Sequence, residues 1–399
     1  MTKRQRLCAL VLGASIAQLS HAEGNMTLYG LIDTGVTWSN HQKGGDTVEM
    51  TSGKLSGARW GIRGSEVLGN GWRAEAVLEN GYNSASGATL QSGRMFGRQS
   101  TVGLSNVRYG TLRLGRQYTP LALYGGPLTA ALRWGTSLMV HPLDLDLLGG
   151  TTRFNNAIDY ESPDFGGWRY RVQYALSNQA GAGFANNREW GGAIRYRSEH
   201  TTFVAGYAQL ARPDSATNAN GATTGDYQSA LPLWIRQVDA TLAGTPASSA
   251  MLAVGTQRTG MAAIVQTIER WSVGTTLSRT LLSQNVVTGA HTSGLNGTGS
   301  LSLDVAEANL TFRATPLNHT GVMVTYSSGR LQSGGQRASP HWWQFGIGND
   351  YFLSKRTDVY VAAAYIMGSA RDAIAQITLG SPASGRTEAG VSIGMRHRF

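Results

Sequence analysis

The side chains of this chain that could act on a small molecule are arginines rather than nucleophiles. Lysine occurs only at Lys3, Lys43, Lys54 and Lys355, so nearly all of the 34 Lys+Arg residues, set against 24 Asp+Glu, are arginine. A guanidinium keeps its charge at any physiological pH, which makes it a source of fixed field and a poor proton carrier. The histidines beyond the first segment (His41, His141, His200, His291, His319, His341 and His397) are scattered, and none stands in a metal-ligand spacing such as H-x-x-x-H. No nucleophile, base and orienting group can be brought together from them, which argues against an enzyme, and no cofactor site is read. His141-Pro142-Leu143-Asp144-Leu145-Asp146 is the acidic counterpart, with two carboxylates on one side of an extended segment.

The elements that would position these charges are strands. In Trp168, Tyr170, Val172, Tyr174 and Leu176 one face is aromatic and aliphatic, while the interleaved Arg169, Arg171, Gln173, Ala175 and Ser177 are polar, charged or small. Trp72, Ala74, Ala76 and Leu78 separate from Arg73, Glu75 and Glu79 in the same way, as do Trp343, Phe345 and Ile347 from Gln344, Gly346 and Gly348. Segments of about ten residues with this period of two, divided by turn chemistry, are how membrane-spanning strands read. A soluble sandwich would alternate too, but Trp and Tyr gather at strand ends here (Trp38, Trp168, Tyr170, Trp190, Tyr207, Tyr326, Trp342, Tyr360), as at a bilayer interface. Connections also alternate in length. Leu68-Gly69-Asn70-Gly71, Asn106 to Gly110, Pro163 to Gly166 and Leu353 to Arg356 are short, whereas those between them are long and rich in Gly, Ser, Asn and Thr. Short inner turns and long outer loops give that rhythm.

Composition agrees. Met1-Thr2-Lys3-Arg4-Gln5-Arg6, an apolar stretch from Leu7 to Leu19 and Ser20-His21-Ala22 form a secretory signal, so residues 1–22 are expected to be removed and 23–399 to make the barrel. The only cysteine, Cys8, lies within that signal, which excludes a disulfide framework. No apolar run after it reaches the roughly 20 residues of a spanning helix, so a membrane form must be a barrel. The formal net charge is +10, yet the arginines are spread singly along strands rather than clustered in a stripe, which argues against nucleic acid. Candidate strands exceed an even number by one, and the surplus lies between Leu231 and Thr280, where segments around Ile235, Ala253 and Val273 compete for two places. We expect an all-β antiparallel barrel of about sixteen strands, wide enough for an aqueous lumen.

The sequence resembles the general porins of Gram-negative outer membranes, in their β-proteobacterial form, over nearly the whole chain after the signal. The marks are Met26-Thr27-Leu28-Tyr29-Gly30-Leu31-Ile32-Asp33, Ala58-Arg59-Trp60-Gly61-Ile62-Arg63-Gly64-Ser65-Glu66, Leu78-Glu79-Asn80-Gly81 and Gly115-Arg116-Gln117-Tyr118-Thr119-Pro120. The series continues with Ser162-Pro163-Asp164-Phe165-Gly166-Gly167, Leu353-Ser354-Lys355-Arg356-Thr357-Asp358 and Gly394-Met395-Arg396-His397-Arg398-Phe399. The resemblance implies an outer-membrane, water-filled channel for passive diffusion of ions and small hydrophilic solutes, assembled as a homotrimer among outer-membrane lipid and lipopolysaccharide. The last strand, with Val391, Ile393, Met395 and Phe399 on one parity, resembles the signal read by barrel-assembly machinery. A solute-specific channel and a non-conducting structural or adhesive barrel are the alternatives.

The segment from Thr119 to Thr152 holds Pro120, Pro127 and Pro142 and shows no sustained periodicity. The resemblance implies that this third loop folds into the lumen and narrows it. It also sets Arg59 on the second strand, Arg116 at the end of the fifth and Arg153 at the start of the sixth, opposite Asp144 and Asp146. Such a constriction carries a transverse field. Parity supports Arg59 and Arg63, which oppose Trp60 and Ile62, and Arg153, which opposes Phe154 and Ile158. It opposes Arg116, which shares parity with Leu112 and Leu114, so Arg113 is the fallback. Arg98, on the parity of Val102 and Leu104, is a candidate for a subunit contact. Net charge and lumen arginine lean toward anions.

Overall fold

A computed structural model describes residues 24–42, 45–213, 218–223, 225, 227, 251–288, 299–333, 336–369, 373–377 and 383–399. The sequence signal and the segment around Ile235 lie outside these residues. Sixteen strands form the wall, each antiparallel to its neighbours. They are β1 (Gly24–Gln42), β2 (Arg59–Gly69), β3 (Trp72–Gly81), β4 (Gln99–Asn106), β5 (Gly110–Tyr118), β6 (Arg153–Glu161), β7 (Trp168–Ala175) and β8 (Arg188–Arg197). The second half adds β9 (Thr201–Ala211), β10 (Thr256–Ile268), β11 (Trp271–Thr288), β12 (Gly299–Thr315), β13 (Asn318–Ser333), β14 (His341–Phe352), β15 (Thr357–Gly368) and β16 (Thr387–Arg398). Gly45–Ser52, Met251–Ala253 and Gln336–Ala338 are further strands paired on β1, β11 and β13 beyond the wall. The Ala253 segment therefore contributes only a three-residue strand, and the two wall places fall to Thr256–Ile268 and Trp271–Thr288.

The sheet closes on itself. β16 pairs with β1 from Leu31 opposite Arg398 to Ser39 opposite Gly390, and Phe399 and Gly30 exchange backbone hydrogen bonds of 3.0 and 3.2 Å. Closure leaves no open edge in the hydrocarbon, where an unpaired peptide group has no water to bond. Gly30 is needed at this seam. A Cβ there would collide with the Phe399 ring and stand 2.7 Å from the Arg59 carbonyl.

All connections at one end are tight, and the Gly69-Asn70-Gly71 turn runs through three consecutive positive φ values of 90°, 51° and 77° that suit these residue types. Alternation sends Val102, Leu104, Leu112, Leu114, Val172, Ile194, Ile347 and Ile393 outward, where they are exposed and form the face for lipid. Aromatic pairs mark two levels on that face: Trp72 with Tyr109, Trp168 with Tyr196 and Trp271 with Phe312 near the tight turns, and Trp190 with Tyr207 and Tyr326 with Trp343 toward the other end. Two residues expected in these belts point inward. Trp342 is buried with its indole N–H bonded to the Ile374 carbonyl, and the Tyr360 hydroxyl donates to Asp33 at 2.8 Å. Each shares the parity of the lumen face, which strand-end position alone does not reveal.

We expect Gly30→Val to weaken the closing seam by about 1–3 kcal/mol, the range for an overpacked buried site. Urea unfolding of the protein in lipid vesicles, compared with Gly64→Val where a Cβ meets nothing within 4 Å, checks this.

Candidate functional site

The wall from β1 to β6 carries a cluster of cations near the mouth of the long loop. Arg59 opens β2, and Arg63, two repeats of the alternation further along the same face, lies 4.9 Å from the centre of the Tyr29 ring. Glu79 on β3 is buried among them, accepting from the Tyr29 hydroxyl at 2.9 Å and from Arg98 Nε at 2.8 Å. Arg98 in turn lies 5.7 Å from the Tyr118 ring centre, and Arg153 packs on the same ring at 4.9 Å while Nη1 donates to the Thr151 carbonyl at 2.8 Å. Tyr118 thus separates two like charges with a π face that attracts both. Among the described residues, Glu79 is the one carboxylate within 4.0 Å of any of these four guanidinium groups.

Opposite this wall the loop between β5 and β6 lies inside the barrel. It contains the helical turns α1 (Pro120–Tyr124) and α2 (Ala130–Arg133), and its apolar residues Leu121, Leu138, Met139, Leu147 and Leu148 are fully buried. Polar side chains of the far wall hold its backbone. Gln257 donates to the Leu145 carbonyl at 2.8 Å, Gln344 to Leu138 at 2.7 Å and Asn309 to Leu128 at 3.2 Å, while Glu307 accepts from the Ala130 N–H at 2.8 Å. A loop with buried peptide groups needs such partners.

His141 is the central anchor. Nδ1 meets Asp146 at 2.6 Å and Nε2 meets Glu307 on β12 at 3.0 Å, so one imidazole joins the loop to the wall. Burial opposes its charge, but the two carboxylates outweigh that and hold its proton well above the ordinary imidazole range. Asp146 is held low despite burial, by His141 and by the Ser278 hydroxyl at 2.7 Å. Asp144 accepts from the Gly149 and Thr151 N–H groups and the Thr151 hydroxyl, and burial together with the charge of Asp146 pushes it up to about 6.

Several sequence expectations change here. Asp144 and Asp146 are 1% exposed and engaged in holding the loop, so they do not face Arg59 or Arg153 across an opening. Arg116 stands opposite Ser100, on the side of the outward Val102 and Leu104, and bonds the Gly97 carbonyl at 2.8 Å and Asn155 at 2.6 Å. It is buried and engaged with these two partners, at a point where the β5–β6 register shifts between Gly115 and Gln117. Arg113 takes the lumen side, 3.3 Å from Glu161 and 3.8 Å from Asp159. Arg98 turns inward to Glu79 instead of toward a subunit contact because it precedes β4 and is not bound by the alternation of that strand. Phe154 is buried inside rather than exposed to lipid, since the β5–β6 register shifts beyond Gly115 and Asn156 takes a positive φ of 55°, while Ile158 keeps its outward place.

Sequence reasoning missed Glu79 as the partner of the arginines, although its parity was inward, and missed His141, whose role depends on a wall residue 166 positions away. It also missed a second lumen network in which Arg171 bonds Asp159 at 2.8 Å, Tyr124 bonds Glu161 at 2.8 Å and Arg195 lies 4.5 Å from the Tyr124 ring. Near the closing seam Arg396 joins Asp358 at 3.1 Å and Asp350 at 3.3 Å. Gly390-Val391-Ser392-Ile393-Gly394 spells G-x-S-x-G, but it lies within β16, with Ser392 accepting from Thr37 at 3.1 Å, and not at the strand-to-helix turn a nucleophile needs. Among the described residues the arrangement offers fixed charges held by the wall and the loop.

Residues 8–371 match the family model described as Gram-negative porin. An outer membrane porin protein of Bordetella pertussis is 31% identical over 243 residues, covering 52% of this chain and 60% of the relative. Outer membrane porin protein 32 of Delftia acidovorans is also 31% identical, over 221 residues, with the same coverage of 52% and 60%. The chain thus spans about three fifths of the length of these curated relatives. Among solved structures, the anion-selective porin from Comamonas acidovorans superposes with a TM-score of 0.68 at 20% identity, covering 94% of this chain and 100% of the other. The trimer form of OmpT from Vibrio cholerae gives 0.60 at 14% identity, covering 94% and 99%.

The His141 anchor has a signed pH dependence. A group whose folded pKa is raised contributes stability that is complete below its unfolded value, about 6.5, and is lost as pH rises through the folded value. Hydrogen exchange of residues 141–148 is therefore expected to be slow at pH 6 to 7 and to accelerate, beyond the intrinsic base-catalysed increase, at alkaline pH. His141→Gln should give fast exchange throughout, a loss of order 3 kcal/mol for breaking a buried pair.

Proposed function

The chain belongs to the Gram-negative porin family, an outer-membrane β-barrel, and from that premise we propose that it forms a water-filled channel for passive diffusion of ions and small hydrophilic solutes, with a preference for anions. The observation that carries the preference is the imbalance at the loop mouth: of the four guanidinium groups only Arg98 has a carboxylate within 4.0 Å among the described residues, Glu79, while the loop carboxylates are engaged with His141, Ser278 and backbone N–H groups. Arg59, Arg63 and Arg153 are the residues we assign to the selective field, with Arg113 as a further inward cation. Arg116 is not among them. The anion selectivity named for the structural neighbour from Comamonas acidovorans is consistent with this reading.

In this reading a solute crosses by diffusion with no catalysed step, and the charge pattern alone biases its passage. A positive wall lowers the energy of an anion in the narrow region and raises that of a cation, the more so because the barrel wall is a low-dielectric boundary. We further infer a cleaved signal at residues 1–22, delivery to barrel-assembly machinery through the strand ending at Phe399, residence among outer-membrane lipid and lipopolysaccharide, and a homotrimer, the form named for one structural neighbour.

Planar-bilayer recording of the refolded protein tests the reading. Conductance steps in groups of three with a reversal potential on the anion side are expected. A charge at roughly 5 Å in water-like dielectric is worth on the order of 0.8 kcal/mol, so Arg59→Ala with Arg153→Ala should lower the anion-to-cation permeability ratio by at least roughly fourfold. Steps of unchanged selectivity would remove these arginines from the account, and a folded, inserted protein without steps would remove the channel.

A further inference from the structure

We propose that the two roots of the lumen loop, where it leaves β5 and where it rejoins β6, hold a desolvated halide ion between Gln117, Thr119 and Thr152. These residues are 1%, 0% and 2% exposed. Among the described residues, none of Gln117 Nε2, Gln117 Oε1, Thr119 Oγ1 and Thr152 Oγ1 has a hydrogen-bond partner. Buried polar groups are almost always bonded, so their gathering in two short segments points to a ligand that they bind. The Thr119 hydroxyl does not even cap the helical turn that follows it, the ordinary task of a threonine in that place.

The register brings the three side chains together. Gln117 is paired with Phe154 and Tyr118 with Arg153, and residues paired across two strands share a face of the sheet. Thr119 keeps an extended backbone, with φ −67° and ψ 152°, so its side chain returns to the face of Gln117. Thr152 precedes Arg153 and so takes the face of Phe154. The next step of the same register sets Thr119 beside Thr152, and the polar groups meet on one face next to the fully buried Phe154.

Charge and size select the ligand. Two hydroxyls and an amide N–H₂ are neutral donors, and Arg116 and Arg153 stand next in the chain to Gln117 and Thr152, so an anion is favoured over a metal ion. The nearby Asp144 carboxylate is engaged by the Gly149 and Thr151 N–H groups and the Thr151 hydroxyl. Taking an anion out of water is costly unless donors replace its hydration, which these groups are placed to do. So closed a site suits a monatomic ion and shuts out carboxylate or phosphate solutes. Because Thr119 belongs to the entering root and Thr152 to the leaving one, the ion pins them to each other, and the hold on the loop rises with halide activity.

The test is hydrogen exchange of residues 117–123 and 151–155 in the full-length protein in lipid vesicles, at constant ionic strength, as gluconate is replaced by chloride or bromide. Saturable protection confined to these roots is expected, about elevenfold where the halide stands at ten times its dissociation constant. Thr119→Val with Thr152→Val gives a sharper readout, since it keeps the shape and removes both hydroxyls. Without a ligand, replacing unpartnered buried hydroxyls by methyl groups leaves protection equal or higher in every salt. With the ion, the variant is less protected than wild type in chloride and equally or more protected in gluconate, and this reversal is the expected result. Wild-type exchange that ignores the anion overturns the proposal whether or not the variant folds, and assigns the hydroxyls to water. Dependence on sodium against potassium at fixed chloride overturns it too, since the site would then hold a cation. Neither readout involves conductance, so failure here leaves the channel reading untouched.

Discussion

Closure of the sheet is the constraint on which everything else rests. A peptide group left unpaired in hydrocarbon has no water to turn to, so β1 and β16 must meet along Leu31 to Ser39. Once they do, strict alternation has a physical meaning: every second residue faces lipid and the rest face an interior too wide for wall side chains to fill. The apolar belt, the aromatic levels and the tight turns at one end follow from the same geometry. So does the demand on Gly30, whose missing side chain lets the Phe399 ring seat against the seam.

A wide interior leaves polar and charged side chains facing inward, and the chain settles them in two ways. Most are paired across neighbouring strands, as in Arg171 with Asp159 and Arg396 with Asp358. The rest receive the loop after β5, whose buried backbone takes hydrogen bonds from Gln257, Asn309 and Gln344. Holding that loop requires Asp144, Asp146, His141 and Glu307 to bond one another and nearby donors. Their negative charge is thereby neutralised or turned away from the opening. The arginines of β2 and β6 have no carboxylate within 4.0 Å among the described residues, and on the proposed reading they set the sign of the field that remains.

The wall was legible because its signal is local. Trp168 to Ala175 and Trp72 to Gly81 reveal their two faces by period-two alternation, and Arg59, Arg63 and Arg113 could be placed inward from their neighbours alone. Parity and family resemblance disagreed at Arg116, where β4 and β5 remain in register through Ser100 and Arg116 while the β5–β6 register shifts between Gly115 and Gln117. Parity failed at Phe154, where an irregularity near Asn156 shifts the β5–β6 register and no residue type announced it. The loop was legible as a loop but not in its conformation. Whether Asp144 faces water or caps Gly149 and Thr151 depends on left-handed turns at Leu143, Asp144 and Leu147 and on wall residues far away in the chain. Trp342 and Tyr360 carried belt chemistry but obey lumen parity, a case in which residue type was the weaker guide.

The central claim is that the selective field comes from the arginine wall and not from a pair of acids opposing it. Reversal potential under a salt gradient for Asp144→Asn and Asp146→Asn, measured at pH 7.5 beside wild type, addresses it most directly. If these carboxylates serve the loop, the permeability ratio stays at the wild-type value even where the open channel becomes noisier. A shift toward anions in either variant would place that acid's charge in the path of the ions and contradict the account.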